Sequence, residues 1–386
     1  MPESPPRRRI VLLGATGSIG RQACDVMDRY PDRFDLIGAV AGSDVAGLAA
    51  VVERFGVERS AVVNPPGDAV LPAGCAAGID AACAVAALDA DVVCVAITGS
   101  AALRPTLAAV DAGRVIATAT KEVLVMAGDL VRTRAAATGA RLIPIDSEHS
   151  ALWQCLRGED ISTVSRLVLT ASGGPFRDRP LDTFSTITKS EALNHPTWVM
   201  GPKVTIDSAT MMNKGLEIIE AHFLFDIDYS RIDVAVHPDS VVHSYIEFCD
   251  GAIVAQLGAP DMRVPIALAL ADGERLPGVG HTMDLRDGRP IELRSVDAKR
   301  FPAVGIARAA GEAGGVRPCV LNAANETAVS AFLDDRCRFE QIVPLVAAAV
   351  EAAPQVADPS LDDLLDADRW AREWTAAALL EGAEVA

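Results

Sequence analysis

The 386-residue chain reads as an α/β protein with an N-terminal doubly wound parallel sheet of Rossmann type, a central α+β domain and a C-terminal four-helix bundle. Three observations predict this. Short apolar runs alternate with helical patterns over the first 150 residues, the pattern then becomes irregular, and only helical periodicity remains beyond residue 301. The expected boundaries are 1–150, 151–275, a linker over 276–300, and 301–386.

In the first region, the apolar runs at 9–13, 34–40, 60–63, 91–97, 114–118 and 141–145 are the strands. Between them, stretches such as AALRPTLAAVDAG repeat apolar residues every three or four positions, as crossover helices do. In the middle region, RLVLTAS, KVTIDS, RIDVAVH and GAIVAQLG are apolar runs joined by irregular loops and helices. Gly, Pro, Arg and Asp without periodicity then mark the linker. Four helical patterns, at 304–312, 322–333, 339–352 and 361–380, complete a small bundle.

Bulk composition narrows the function. A net charge of −17 argues against nucleic acid, whose phosphates need a basic stripe, and against anionic membrane surfaces. No stretch approaches 18 uncharged apolar residues, so no membrane span is expected. Eight cysteines without a C-x-x-C pair read as reduced thiols, and the N-terminal apolar stretch is too short for a signal peptide. The expectation is a soluble cytoplasmic protein.

Gly14-Ala15-Thr16-Gly17-Ser18-Ile19-Gly20 follows a strand and opens a helix. Such a turn lets backbone approach a phosphate and aims helix N–H groups at it. The spacing is GxxGxxG, and a plain tight turn is the other reading. The second strand ends at Gly42-Ser43-Asp44, where an adenosine ribose would lie. From the residues alone, NADH and NADPH both remain open.

Asp146 and Glu148, two residues apart, stand at the C-terminal edge of the last strand, where open α/β sheets place ligands. As i and i+2 of an extended segment they would point the same way. Carboxylates clustered away from water need a compensating charge, and hard oxygen donors favour Mg²⁺ or Mn²⁺. Capping of a helix starting near Ser150 is the alternative. A third carboxylate, Glu217, lies in the run Ser208 to Phe225, where Met212, Leu216, Ile219 and Phe223 form an apolar stripe. Ser208, Asn213 and Lys214 gather donors near that helix start and suit a phosphate; a solvated helix face is the rival reading. Ser172-Gly173-Gly174 places a hydroxyl beside a glycine pair, and His195-Pro196-Thr197-Trp198 suits a lid. His237 and His243 read as structural.

Together these pieces resemble the 1-deoxy-D-xylulose 5-phosphate reductoisomerase family. The likeness runs from GATGSIG through DSEHSALWQCL, LTASGGPFRDRPL, HPTWVMGPKVTIDSATMMNKGLEIIEA, HPDSVVHS and QLGAPDMR to LNAANE. It implies Asp146, Glu148 and Glu217 as ligands of one divalent ion, Mg²⁺ or Mn²⁺, with Co²⁺ a further choice. It implies phosphate contacts at Ser172, Ser208, Asn213 and Lys214. The other substrate contacts are Lys121, Ser147, Glu148, Glu217 and His195, with Trp198 on the lid and Met262 packing nearby. NADPH contacts fall on Gly14, Thr16, Gly17, Ser18, Ile19, Gly42, Ser43, Thr120, Glu122 and Gly201. The catalytic set is Lys121, Ser147, Glu148 and His195, with Lys121 and Glu148 handling protons.

The implied reaction is a retro-aldol/aldol rearrangement and then NADPH reduction to 2-C-methyl-D-erythritol 4-phosphate, in non-mevalonate isoprenoid synthesis, by a homodimer. Two departures stand out. Thr120-Lys121-Glu122 replaces the family's usual Asn-Lys-Glu, and Ser43-Asp44 replaces a Lys-Asn type of pair. Two other functions share parts of this pattern: a metal-independent NAD(P) dehydrogenase acting on another phosphorylated substrate, and a Rossmann-type sensor of nucleotide or sugar phosphate.

Overall fold

The computed structural model describes residues 6–380 apart from Val199 and Arg289. The chain divides into two compact units: Met1–Val123 with Val131–Trp153 and Asp261–Thr282, and Leu124–Leu130 with Gln154–Pro260 and Met283–Ala386.

The first unit is a seven-stranded sheet. Its strands are β1 (Arg8–Leu13), β2 (Phe34–Ala41), β3 (Arg59–Val62), β4 (Cys75–Ala77), β5 (Val92–Val95), β6 (Val115–Thr118) and β7 (Arg141–Pro144), in the order β4-β3-β2-β1-β5-β6-β7. All pairings are parallel. Helices α1 (Ser18–Arg29), α2 (Val45–Phe55), α3 (Ile79–Ala86), α4 (Leu103–Asp111), α5 (Lys121–Thr138) and α6 (Ser147–Cys155) alternate with them.

The strands are near-continuous apolar runs, because crossover helices cover a parallel sheet on both faces. Ile10, Leu12, Val92 and Cys94 are fully or almost fully buried. Strand order reverses between β1 and β5, which opens a crevice beyond the strand C-termini. The short edge strand β4 is absent from the sequence reading, since three residues carry no periodicity.

The second unit holds α7 (Lys189–Ala192), α8 (Pro202–Thr210), α9 (Met212–Phe225) and a five-stranded sheet. The strands β8 (Val164–Ala171), β9 (Ile232–Val236), β10 (Val242–Phe248), β11 (Ile253–Leu257) and β12 (Arg294–Ser295) run in the order β11-β10-β8-β9-β12. Only β8 and β9 pair in parallel; the other pairs are antiparallel, as an α+β layer allows. KVTIDS, expected as one of the runs of this layer, is helical and forms α8. Gly201 opens that helix and Pro202 takes its first position, a pairing that favours a helix start over a strand.

Helix α10 (Arg263–Leu270) belongs to the first unit, where it packs on α1, β6 and β7. Residues 261–282 therefore leave the central region to which the sequence reading assigned 261–275. Ile266, Ala269 and Leu270 are buried with the sheet residues Ile143 and Ala117. The C-terminal helices are α11 (Pro302–Ala313), α12 (Arg317–Leu333), α13 (Phe339–Glu351) and α14 (Leu361–Leu380), packed around α12. Phe176, Phe184, Phe332 and Phe339 form an edge-to-face cluster, with Phe176 and Phe339 centroids 5.1 Å apart. This cluster fastens the loop after β8 to the bundle. Asn325 of α12 also donates through Nδ2 to Asp207 of α8 at 2.7 Å, both side chains being buried.

Candidate active site

Within the first unit, the ends of β1, β2, β6 and β7 carry most of the candidate groups. The Gly-rich turn is tight: Gly14 and Ala15 both donate backbone N–H groups to the Val40 carbonyl at 2.8 Å. Gly14 has φ +92°, and a Cβ there would lie 2.3 Å from the Ala96 oxygen. A Cβ on Gly20 would lie 2.2 Å from the Gly14 oxygen, so its absence lets α1 start hard against the turn. Helix α1 begins at Ser18 without a side-chain cap on its first N–H groups, and it supplies Ile19. Thr16 and Gly17 complete the turn. An uncapped helix start of this kind is a fitting seat for a pyrophosphate.

Gly42 immediately follows β2, with open space where a Cβ would be. Beside it Ser43 is exposed, while Asp44 accepts from the Gly47 N–H at 2.8 Å and caps α2. That carboxylate is thus engaged by its own helix. Thr120 is buried, and its hydroxyl donates to the Ile97 carbonyl at 2.6 Å. Its polar group is thus spent on the connection after β5.

Lys121 and Glu122 open α5 and are largely buried. The Lys121 Nζ lies 2.5 Å from Asp146 Oδ2. Asp146 sits in the connection after β7 and Glu148 in the first turn of α6, so the two are not alternating strand residues as expected. The strand stops at Pro144, and the helix starts at Ser147, earlier than the predicted start near Ser150. The Ser147 hydroxyl donates to Glu148 Oε2 at 2.5 Å. His149, which the sequence reading passed over, is fully buried with Nδ1 3.8 Å from Asp146 Oδ2. Its i+3 spacing from Asp146 was the available signal. Met262 immediately precedes α10, half-buried against the core of this unit.

In the second unit, Ser208 is not at the start of the helix that carries Asn213 and Lys214. It lies near the end of α8, and the chain breaks at Met211, which is buried at φ 61°, ψ 10° before α9 begins. A left-handed residue bearing a side chain costs about 1–2 kcal/mol. Here it redirects the chain so that two helix ends meet.

Gly174, at φ +66°, lies against α8: a Cβ on it would be 2.6 Å from the Ser208 oxygen. The loop of Ser172 and the helix of Ser208 are therefore adjacent. On α9, Lys214 donates to Glu217 Oε2 and Asn213 Nδ2 donates to Glu217 Oε1, each at 2.5 Å. Glu217 is 0% and Lys214 3% exposed, so this is a buried network and not a solvated face. Phe223, at the end of the apolar stripe, is half-buried against Gly128.

The Ser172 hydroxyl oxygen is 3.0 Å from His195 Nε2, and the Gly174 N–H donates to it at 3.2 Å. His195 Nδ1 accepts from the backbone N–H groups of Thr197 and Trp198. Burial, with a smaller effect from Arg177, pushes the imidazole pKa below its ordinary 6.5. The Trp198 ring lies 6.4 Å from that of His243. Gly201 immediately precedes α8. His237 is structural: its Nε2 accepts from the Val241 N–H at 3.0 Å.

The candidate residues thus form one set at the strand ends of the first unit and another on the helix ends and loops of the second. Three family models cover most of the chain: 1-deoxy-D-xylulose 5-phosphate reductoisomerase over residues 10–128, its C-terminal domain over 142–225, and the DXP reductoisomerase C-terminal domain over 257–374. The chain is 48% identical over 377 residues to the 1-deoxy-D-xylulose 5-phosphate reductoisomerase of Gloeobacter violaceus, covering 95% of this chain and 96% of that one. The enzyme of the same name from Leifsonia xyli is 49% identical over 365 residues, covering 95% and 97%.

Among solved structures, the Zymomonas mobilis reductoisomerase in complex with NADPH superposes with a TM-score of 0.89 at 40% identity, covering 97% of this chain and 99% of that one. A DOX-P reductoisomerase in complex with NADPH, fosmidomycin and magnesium gives 0.90 at 37%, covering 97% and 98%. The chain belongs to the 1-deoxy-D-xylulose 5-phosphate reductoisomerase family.

Proposed function

We propose that this chain converts 1-deoxy-D-xylulose 5-phosphate to 2-C-methyl-D-erythritol 4-phosphate, using NADPH and one divalent cation. The observation that carries the reading is Glu217, a fully buried carboxylate held by Asn213 and Lys214 in a chain that matches a relative of this family over 95% of its length. Burying an ion pair costs several kcal/mol per ion, a cost that a bound cation and an anionic substrate would offset at this place.

Asp146, Glu148 and Glu217 would hold the cation, and their all-oxygen donor set fits Mg²⁺ or Mn²⁺. When bound, the cation supplies Lewis acidity and a template for the substrate's oxygens, and NADPH supplies the hydride. The protein's own groups bind and orient. Ser172, Ser208, Asn213 and Lys214 grip the phosphate, while Ser147 holds Glu148 by its 2.5 Å hydrogen bond. Lys121 carries a proton at Nζ and Glu148 accepts one at its carboxylate. His195 and Trp198 cover the substrate from the lid, with Met262 packing beside it.

For the nucleotide, the 14–20 turn takes the pyrophosphate, and Gly42, Ser43, Thr120, Glu122 and Gly201 complete the contacts. In domain terms, 1–150 serves the nucleotide, with 261–282 packed on it, and 151–260 serves the chemistry, with 283–300 linking to the bundle at 301–386. The protein acts as a cytoplasmic homodimer. Eight free cysteines support a reducing compartment, and exposed Ile253 and Val254 on the edge strand β11 support a covered surface. No described helix is long and apolar enough to cross a membrane.

The test is NADPH consumption with 1-deoxy-D-xylulose 5-phosphate, with and without EDTA, and with NADH for comparison. Turnover that EDTA abolishes and Mg²⁺ or Mn²⁺ restores is expected. Turnover that survives EDTA would favour a metal-independent dehydrogenase.

A further inference from the structure

We propose that His195 is locked as its neutral Nε2–H tautomer and acts as a positioning residue, forcing the Ser172 hydroxyl to be a donor toward an anionic ligand. Hydrogen-bond valence fixes the tautomer, and the identity of that ligand rests on the phosphate reading above.

Backbone N–H groups only donate. Those of Thr197 and Trp198 reach His195 Nδ1 at 3.2 and 2.9 Å, so Nδ1 must present its lone pair. A neutral imidazole then carries its single proton on Nε2. That nitrogen lies 3.0 Å from Ser172 Oγ and donates to it. The Gly174 N–H donates to the same oxygen at 3.2 Å. A hydroxyl oxygen has two acceptor lone pairs, and both are now filled. The Ser172 proton has to point to a third partner.

The consequence is chemical. A serine facing an anion can meet it with a proton or with a lone pair, and only the first attracts. In most serines the rotor settles this on binding; here the protein settles it beforehand, which is the kind of preorganisation that spares reorganisation when the ligand arrives. The imidazolium form is disfavoured because a proton on Nδ1 would confront two N–H groups. The Arg177 guanidinium, which donates to the Ser172 carbonyl at 3.1 Å, adds a like charge nearby. The relay also makes the backbone of residues 197–198 part of the same chain of bonds as the Ser172 hydroxyl. A lid conformation that withdrew those two N–H groups would release the tautomer and with it the hydroxyl.

The first experiment needs no substrate. In uniformly ¹⁵N-labelled protein, long-range ¹⁵N–¹H correlation of the imidazoles, with His195 assigned by comparison with His195→Asn, should show a protonated Nε2 and an unprotonated Nδ1 at neutral pH. An Nδ1–H tautomer or an imidazolium at that pH overturns the proposal, whatever the reaction turns out to be.

The second experiment is a double-mutant cycle on the KM for 1-deoxy-D-xylulose 5-phosphate in the metal- and NADPH-loaded enzyme. Asn at 195 keeps an acceptor for the two backbone N–H groups but loses the donor to Ser172. Gln at 195 does the reverse. Ser172→Ala and His195→Asn should each raise KM about tenfold, the scale of one hydrogen bond to a charged group. The pair together should fall well short of the product of the two single penalties, with His195→Gln recovering part of the loss. Multiplicative penalties would mean that His195 acts apart from Ser172 and would sink the relay.

Discussion

Each unit holds a lysine–carboxylate pair among its candidate residues, and the two are built differently. In the first, Lys121 opens α5 and meets Asp146 in the connection after β7, with the two side chains 10% and 15% exposed. In the second, Lys214 and Glu217 sit three residues apart on one helix at 3% and 0%. The strand-end pair is assembled from separate crossovers and keeps some contact with water. The helical pair is almost dry, so its stability depends far more on both members being present. Charge removal should expose that difference.

We expect Glu217→Gln to give the largest effect. It keeps the volume but strips the counter-charge from a buried ammonium, which costs about 3–5 kcal/mol. Turnover should fall to background while nucleotide binding survives. Asp146→Asn should also abolish turnover but destabilise by only about 1–3 kcal/mol, because water can still reach Lys121. Urea midpoints and NADPH fluorescence titration on both variants decide it. Equal destabilisation would break the contrast, and intact turnover in either would remove that residue from the proposed ligand set.

The glycines that permit close approach give a second contrast of the same kind. Gly20→Ala would push a methyl into the Gly14 oxygen and separate α1 from the phosphate turn. Gly174→Ala would push one into the Ser208 oxygen and also strain a φ of +66°, a cost of about 1–3 kcal/mol. The first should raise the KM for NADPH and leave that for the sugar phosphate nearly alone; the second should do the opposite. Steady-state kinetics with each substrate varied in turn would show whether the two functions separate so cleanly. A variant that raised both constants together would argue against the separation.

How much of this was legible beforehand follows the same division. The parallel sheet was readable because strands covered on both faces are continuous apolar runs, and the Gly-rich turn stood at the end of the first. Apart from Met262, which precedes α10, the candidate residues of the first unit lie in the turns and helix starts that follow its strands. What failed there was finer: the extended i, i+2 geometry of Asp146 and Glu148 gives way to a helix start.

In the second unit the errors were larger. KVTIDS alternates like a strand yet is helical, because Gly201 and Pro202 set a helix start. The chain from Ser208 to Phe225 looked like one helix because nothing in Met211 announces a left-handed turn; Gly or Asn would have, and methionine adopts it only under tertiary constraint. The burial of Lys214 and Glu217 was equally hidden. Charged residues in a helix pattern look like a solvated face until the packing is known.

Thr120 carries the smallest expected effect. Its hydroxyl donates to the Ile97 carbonyl, a tie between the connections that follow β5 and β6. Thr120→Val should cost about 0.5–1.5 kcal/mol of stability, the net value of one such bond, and leave the KM for NADPH within about twofold. Thr120→Asn should cost the same tie and, if the amide faces the nucleotide, lower that KM. The comparison sharpens the account of the first unit, since it separates a residue that holds the sheet from one that holds the cofactor. A Val variant that lost NADPH affinity at unchanged stability would show that the hydroxyl serves the nucleotide and not the strand ends.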